Sequence, residues 1–148
     1  MKVKFKKVHQ DAVAPYKTYK EDCCYDVVAT SCEEIAPNVW KYGIGLAFEI
    51  DHTDVQAYGG NLAIDFRPRS SVWKTGMVLS NCIGTVDELY RGEVSAVFYH
   101  VLPAMPRYAV GDRIGQIMLT WSPDIEFVEN EVLSSTVRGA GGYGSTGR

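Results

Sequence analysis

The chain has 148 residues, of which 46% are hydrophobic, and a formal net charge of −3. This length predicts one domain, with enough apolar residues to build a core without metal or disulfide staples. The slightly negative charge argues against a partner bound along a nucleic-acid backbone, because such binding needs a clustered excess of lysine and arginine. A small anionic ligand held by a few local arginines remains compatible with the composition.

Hydrophobic residues recur with a period of two along most of the chain, which predicts β-strands. In the first such run, Val3 and Phe5 alternate with lysines that suit the solvent face of a strand. Turn-rich stretches such as 58–61 and 103–112 separate the later runs, which are residues 44–50, 62–66, 94–101 and 114–119. Only residues 70–77 have helical spacing, and that stretch is short. The pattern predicts an all-β chain with a jelly-roll-like barrel or sandwich architecture.

The four cysteines have no CxxC spacing, and the three histidines lie far apart along the chain. Neither pattern favours a dedicated zinc site. Cys23 and Cys24 would point to opposite faces of an extended strand. No secretory signal or long apolar span precedes them, so we expect reduced thiols, no membrane partner and a cytoplasmic location, in a bacterium or in the cytosol of a virus-infected cell.

The last eleven residues, 138–148, hold five glycines between two arginines. A segment of this composition cannot form a packed core, and one interpretation is a disordered end. Its arginines, hydroxyls and glycine amides also suit phosphate oxygens, and the Tyr143 ring suits a base. The other interpretation is therefore a lid over a nucleotide.

Two further segments carry groups that suit nucleotide chemistry. Residues 67–71, RPRSS, place arginines and serines after a predicted strand, where they could bind phosphate oxygens, although a loop with an N-capping serine fits the same residues. In residues 81–93, Asp87 could activate water and Tyr90 could pack on a sugar or base. An aspartate in a turn is, by itself, usually only a turn residue. Two polar residues in other segments say little alone: Asp26 and Gln116.

The order and spacing of five segments resemble the five motifs of the trimeric dUTPase family. These segments are CCYDVVAT, RPRSSVWKTG, NCIGTVDELYRGE, GDRIGQIM and RGAGGYGSTG. The second, third and fifth are the specific ones, and the resemblance covers residues 22–147. It implies hydrolysis of dUTP to dUMP and pyrophosphate, which lowers dUTP and supplies dUMP for thymidylate synthesis. It also implies a homotrimer, with a single β-barrel domain over residues 1–137 and a flexible glycine-rich arm, 138–148, that closes an active site between subunits.

The resemblance implies a role for each matched residue. Asp87 corresponds to the catalytic aspartate that orients and deprotonates the water attacking the α-phosphorus. Tyr90 corresponds to the ring that packs against the deoxyribose, and Tyr143 to the ring that stacks over uracil. The positions that hold uracil are Asn81, Gly84, Thr85, Val86 and Asp87. The positions that contact the phosphates are Arg69, Ser70, Ser71 and Gln116, with Arg138, Gly144, Ser145 and Thr146 of the arm on the β- and γ-phosphates.

The cofactor implied is Mg²⁺, held in the family by the three phosphates and by waters, so that no direct protein ligand is expected. Asp26 could act on the ion through a water. The chain departs from the family pattern at Cys23 and Cys24, where small residues are usual, at Leu89, where many relatives carry an acid, and at Trp73, which is bulkier than usual.

Two alternative functions remain open. A dCTP deaminase would share the strand pattern but lack the glycine-rich tail with its GSTG sequence. A non-catalytic nucleotide-sensing or regulatory module would use the same pocket to bind a protein partner. The presence of Asp87, Arg138 and Ser145 together weighs against a loss of catalysis.

Overall fold

The computed structural model describes residues 2–51 and 59–142. Their regular structure is almost entirely β, which confirms the all-β prediction. The stretch with helical spacing forms only a short 3-10 helix, Val72–Thr75. The ten strands are β1 (Lys2–Lys7), β2 (Tyr25–Val28), β3 (Ser31–Ala36), β4 (Val39–Gly43), β5 (Leu46–Asp51), β6 (Asn61–Arg67), β7 (Met77–Leu79), β8 (Gly84–Asp87), β9 (Ser95–His100) and β10 (Arg113–Ser122).

The strands form two four-stranded sheets and one two-stranded sheet, with antiparallel pairing throughout. One large sheet has the order β2-β10-β6-β8 and the other has the order β3-β4-β9-β7, while β1 pairs with β5. The inner faces of the two large sheets meet in a single hydrophobic core. This sandwich agrees with the jelly-roll-like architecture predicted from the sequence.

Aromatic rings join the two large sheets. Phe66 of β6 and Phe98 of β9 meet edge to face with their ring centroids 6.3 Å apart. Tyr42 and Tyr108 pack edge to face on Phe98, and the Tyr42 hydroxyl donates to the backbone carbonyl of Tyr108 at 2.9 Å. Burial of these rings contributes to the stability of the sandwich.

The predicted strand at residues 44–50 begins two residues later than expected. Gly45 has a φ of 68°, a left-handed conformation that interrupts the strand before Leu46. The short, largely exposed β3 has no apolar alternation, and the sequence pattern did not predict it. The lysines of β1 are exposed as predicted, but Phe5 on its other face is still 46% exposed.

Beside β1 the structure has an apolar cavity of about 440 Å³. It is lined by Val3, Phe5, Ala14, Pro15, Tyr25, Phe48, Ile64, Ile117, Met118 and Leu119. The regular structure of the described residues ends at Ser122, and residues 123–142 form no strand or helix. The division of the chain at residue 137 therefore stays a prediction. No helix within residues 2–51 and 59–142 is long and apolar enough to cross a membrane.

Gly115 in β10 makes room for the Phe66 ring of the neighbouring strand. A Cβ built at position 115 would overlap the ring atoms of Phe66, and neither group can move away cheaply because Phe66 is only 1% exposed. The Phe66 ring of β6 therefore occupies the space that a side chain at position 115 of β10 would need.

We expect Gly115→Ala to lower the free energy of unfolding by about 1–3 kcal/mol, the usual cost of overpacking a core. Chemical denaturation would measure the change. Phe66→Leu in the same chain should recover part of the loss, since it frees the volume that the new methyl needs. Gly142→Ala is the control, because a Cβ there meets nothing within 4 Å. Equal unfolding midpoints for the wild type and Gly115→Ala would contradict this account of the packing.

Candidate functional site

The outer face of the sheet β2-β10-β6-β8 carries most of the site residues predicted from the sequence. In β6, Leu62, Ile64 and Phe66 are buried in the core, so the alternate residues face outward. The strand registers then place four polar residues of the neighbouring strands on the same face, three opposite β6 and one opposite β10. These residues are Asp26, Gln116, Thr85 and Asp87.

At one end of this face, a buried carboxylate collects basic and amide side chains. Asp26 is 5% exposed, and its Oδ2 accepts a hydrogen bond from Arg113 Nη1 at 2.8 Å. Its Oδ1 accepts from Gln116 Nε2 at 3.0 Å and lies 3.5 Å from Arg69 Nε. The hydrogen bond to Asp26 raises the pKa of the Arg113 guanidinium, which keeps that side chain charged. We call these four residues the Asp26 cluster.

Arg113 is the member of the Asp26 cluster that the sequence interpretation missed. It stands in the GDRIGQIM segment, at a register shift of β10 between Arg113 and Gly115. An irregularity of this kind redirects a side chain. The arginine inside the fourth motif was the available signal, but nothing in the sequence alone indicated that it would meet Asp26, 87 residues away.

Ser70 and Ser71 follow Arg69 at the end of the sheet that bears the Asp26 cluster. Ser71 directly precedes the 3-10 helix, but its side chain makes no capping hydrogen bond. The capping interpretation of the serines is therefore wrong for Ser71. Both serines directly follow a partly exposed arginine in the chain and neither is buried, so their hydroxyls can donate to an anion.

At the other end of the face, residues between Thr85 and Ser95 line a pocket of about 190 Å³. Asp87 ends β8 and is exposed at this pocket. The Asn81 side chain lies beside Gly84, with its Nδ2 3.5 Å from the position of a Cβ built there. The pocket is lined by Thr85, Val86, Asp87, Tyr90, Glu93, Val94 and Ser95.

Tyr90 is held in place by the residues that follow it. Its hydroxyl donates to the Glu93 carbonyl at 3.1 Å, and its ring covers Gly92 so closely that a Cβ there would overlap the ring. The Glu93 carboxylate in turn accepts from the backbone amide of Gly45 at 2.7 Å, which ties this segment to the start of β5. The tyrosine therefore has a fixed orientation in the pocket.

The Asp26 cluster and the pocket that contains Asp87 lie apart on one chain. Asp87 pairs with Ala63 of β6, whereas Gln116 pairs with Arg67. Four residues along a strand correspond to about 13 Å, and β8 and β10 lie on opposite sides of β6, so the separation is about 16 Å. A single copy of the chain does not bring Asp87 to the Asp26 cluster.

The glycine-rich arm is only partly within the described residues. Arg138 is exposed, and its Nε donates to the Gly141 carbonyl at 2.9 Å in a local turn. Tyr143, Gly144, Ser145 and Thr146 lie outside the described residues, so their predicted roles stay predictions. Within residues 2–51 and 59–142, no group of three or more His, Cys, Asp or Glu side chains is placed to hold a metal ion.

The departures from the family motifs lie at the edges of these groups. Cys23 and Cys24 fall in a bend and not in an extended strand, so the expectation of opposite faces does not apply to them. Burial raises the pKa of the Cys24 thiol, which favours its protonated form. Trp73 and Leu89 are 69% and 82% exposed, so their side chains displace no core group.

Comparison with known proteins agrees with this architecture. The dUTPase family model matches residues 10–147. The chain is 35% identical to the deoxyuridine 5'-triphosphate nucleotidohydrolase of Nautilia profundicola over the whole of both chains. It is 34% identical to that of Helicobacter pylori strain P12, covering 99% of this chain and 97% of the relative.

Solved structures share the fold at lower identity. The dUTPase of Staphylococcus bacteriophage 80alpha, a G164S mutant solved with dUpNHpp, superposes with a TM-score of 0.78 at 20% identity and covers 99% of both chains. A dUTPase of S. aureus phage phi11 gives a TM-score of 0.71 at 16% identity and covers 91% of this chain. From the family model and its full-length relatives, the chain belongs to the dUTPase family.

Proposed function

We propose that this chain hydrolyses dUTP to dUMP and pyrophosphate, at sites assembled between the subunits of a homotrimer. The reaction would lower dUTP and supply dUMP for thymidylate synthesis. The observation that carries the proposal is the pair of complementary groups on one sheet face. One group presents an exposed carboxylate beside an aromatic ring, and the other presents two arginines and an amide that can bind phosphates.

Asp87 is the group suited to act on water. Its carboxylate is exposed at the pocket that Tyr90 also lines, so a water molecule can reach it. In the proposed reaction, Asp87 accepts a proton from that water while the water oxygen forms a bond to the α-phosphorus. The bond from the α-phosphorus to the bridging oxygen breaks, and the electron pair leaves with pyrophosphate.

The Asp26 cluster supplies donors for the triphosphate. Arg69 and Arg113 carry the positive charge, Gln116 adds an amide, and the adjacent Ser70 and Ser71 add hydroxyls. Fixed donors of this kind stabilise the charge that develops on the phosphoryl oxygens. Asp26 sets the positions of the three nitrogen donors in advance, so they lose little freedom when the anion binds.

Mg²⁺ would bind the triphosphate and neutralise part of its charge, which eases the approach of an oxygen nucleophile. The donors of the Asp26 cluster fit an ion held mainly by phosphates and water, because arginine and amide nitrogens bind phosphate oxygens and compete little for the metal. A phage phi11 dUTPase is described with a structural Mg(II) ion. In this chain, Asp26 is the carboxylate that could contact hydrated magnesium through a water.

Uracil selection is assigned to the backbone of β8 with Asn81. Uracil has a donor at N3 beside an acceptor at O4, whereas cytosine reverses that edge, and a backbone hairpin cannot exchange its own donors and acceptors. Gly84 has no side chain beside Asn81, which would permit a close approach of the base to the backbone. Tyr90, fixed by Glu93 and Gly92, would pack against the deoxyribose where a 2′-hydroxyl would otherwise sit.

Two features support an assembly of several copies. On one chain, Asp87 and the Asp26 cluster are about 16 Å apart by strand spacing, so the proposed site pairs Asp87 of one copy with the Asp26 cluster of a neighbour. Residues 123–137 also form no strand or helix, and several of their apolar side chains are more than half exposed. These are Ile125, Phe127, Val128, Val132, Leu133 and Val137.

Monomers rarely leave so many neighbouring apolar side chains in solvent, so a neighbouring copy is the proposed surface that covers them. The apolar cavity beside β1 offers a concave site of the matching character. Arm residues 138–148 follow directly and would then reach a site on the neighbour. The phage 80alpha enzyme was solved with dUpNHpp, a triphosphate analogue, which fits the same substrate class.

Purified protein with Mg²⁺ is expected to release pyrophosphate and dUMP from dUTP, and to turn over dCTP on the order of 10⁴-fold more slowly because the hydrogen-bonding edge is reversed. UTP and dTTP should also be poor substrates. Product identification by chromatography separates the alternatives, since ammonia released from dCTP would indicate a deaminase. Comparable hydrolysis of all four nucleotides would contradict the assignment of uracil to β8.

Asp87→Asn is the matched control for this assay. It keeps the shape of the side chain but cannot take up the proton, so we expect dUTP to bind while turnover falls by a factor on the order of 10²–10⁴. Binding of a non-hydrolysable analogue, measured by calorimetry, checks that the pocket is intact. Unchanged turnover would remove Asp87 from the proposed role.

Removal of residues 138–148 should preserve the trimer and lower dUTP turnover about 100-fold or more, because the site would lose the arm that excludes water and contacts the outer phosphates. Light scattering measures the mass of the assembly, and the pyrophosphate assay measures turnover. A second truncation, after Ser122, is the comparison. Because it also removes the exposed apolar residues of 123–137, it should give an assembly smaller than a trimer. Normal turnover after removal of 138–148 would contradict the interpretation of the arm as a lid and favour that of a disordered end.

A further inference from the structure

Asp65 is a buried carboxylate to which the proposed reaction gives no role. It lies at the middle of β6 and is only 6% exposed. Burying an ionised carboxylate is costly unless hydrogen bonds and charges compensate it, so its position between two strands calls for an explanation. Its side chain faces outward, on the face that bears both candidate groups.

Three donors from three strands compensate this carboxylate. Thr85 of β8 donates from Oγ1 to Asp65 Oδ1 at 3.0 Å. Thr120 of β10 donates from Oγ1 to Oδ2 at 2.8 Å, and Arg67 of β6 donates from Nη2 to the same oxygen at 3.2 Å. Burial raises the pKa of Asp65, but the hydrogen bonds from Thr120, Thr85 and Arg67 outweigh it and hold the pKa below its usual value. The group therefore stays ionised near neutral pH.

Strand β8 needs such an anchor more than its neighbours do. It has four residues, begins with glycine, and lies at the end of its sheet, where β6 is its pairing partner. None of its side chains is fully buried, and Val86 alone packs against the core as a partly buried residue. Hydrophobic burial therefore specifies its register only weakly.

The register of β8 decides where Asp87 points. Thr85 and Asp87 lie on the outer face, and a shift of the pairing by one residue would turn both to the opposite face. The same shift would also remove the Thr85 hydroxyl from Asp65 and leave a buried charge without one of its donors. That loss penalises the shifted register, even though a buried charge contributes little to net stability.

We propose that Asp65 is a positioning residue, which locks the register of β8 through Thr85 and so places Asp87 and the uracil-binding backbone for hydrolysis. The expected effect of Asp65 on catalysis rests on the proposed function. The register lock itself is a property of the fold and has its own readout. Thr120 shares the carboxylate but belongs to β10, which pairs with β6 on the side away from β8.

The test compares Thr85→Val with Thr120→Val. Each variant removes one hydroxyl from the same carboxylate and keeps a β-branched side chain, so a merely structural role predicts equal losses of thermal stability and no change in kcat. The register lock predicts that Thr85→Val lowers kcat for dUTP by a factor on the order of 10–100, whereas Thr120→Val leaves it within about threefold. Thr85→Ser keeps the hydroxyl and should restore kcat.

Hydrogen exchange supplies the readout that does not depend on turnover. Backbone amides of residues 84–87 should exchange faster in Thr85→Val and in Asp65→Asn, and should keep the wild-type rate in Thr120→Val. Equal exchange of these amides in all variants would overturn the lock. If Thr85→Val and Asp65→Asn show the faster exchange but the wild-type protein releases no pyrophosphate from dUTP, the lock is retained and the proposed function is overturned.

Discussion

The pairing of β6 with β8 on one side and with β10 on the other is the constraint on which the site depends. Because opposite residues of an antiparallel pair share a face, these two registers place Asp87 and Gln116 on the same side of the sheet. The inward residues of β6 meanwhile pack against β9 through Phe66 and Phe98. The core therefore holds the strand in the orientation that the outer face requires, and a shift that exposed Phe66 would bury the polar residues.

Acidic residues organise the polar face from within. Asp26 gathers two arginines and a glutamine, and Asp65 gathers two threonines and an arginine. Each carboxylate is buried, and each is compensated by several hydrogen-bond donors or cations, most of them outside its own strand, which is the condition under which buried charges are tolerated. The consequence is a set of donors whose positions are settled before any ligand binds. Preorganisation of this kind lowers the cost of binding a highly charged ligand and of stabilising its transition state.

Predictions from the sequence were strong where a periodic pattern or an ordered series of motifs carried them. The alternation at residues 62–66 and 114–119 predicted β6 and β10, and the motif order predicted the family. The short strands β3 and β8 were harder, because β3 is mostly exposed and β8 has no fully buried side chain, so neither carries a clear alternation. Arg113 and Asp65 were missed for a different reason. Their partners lie far away in sequence or on the next strand, and an isolated charged residue carries no signal of its burial.

The sequence by itself determined the fold class, the family and the identities of the chemical groups, because hydrophobic period, turn residues and motif order are all local properties of the chain. Only the tertiary structure decided which of those groups meet. It brought Asp26 to Arg69, Arg113 and Gln116, and it placed Asp87 at the other end of the sheet face. The physical reason is that strand register and sheet order arise from the packing of the whole sandwich, and contacts between residues 87 positions apart are not encoded in any single segment.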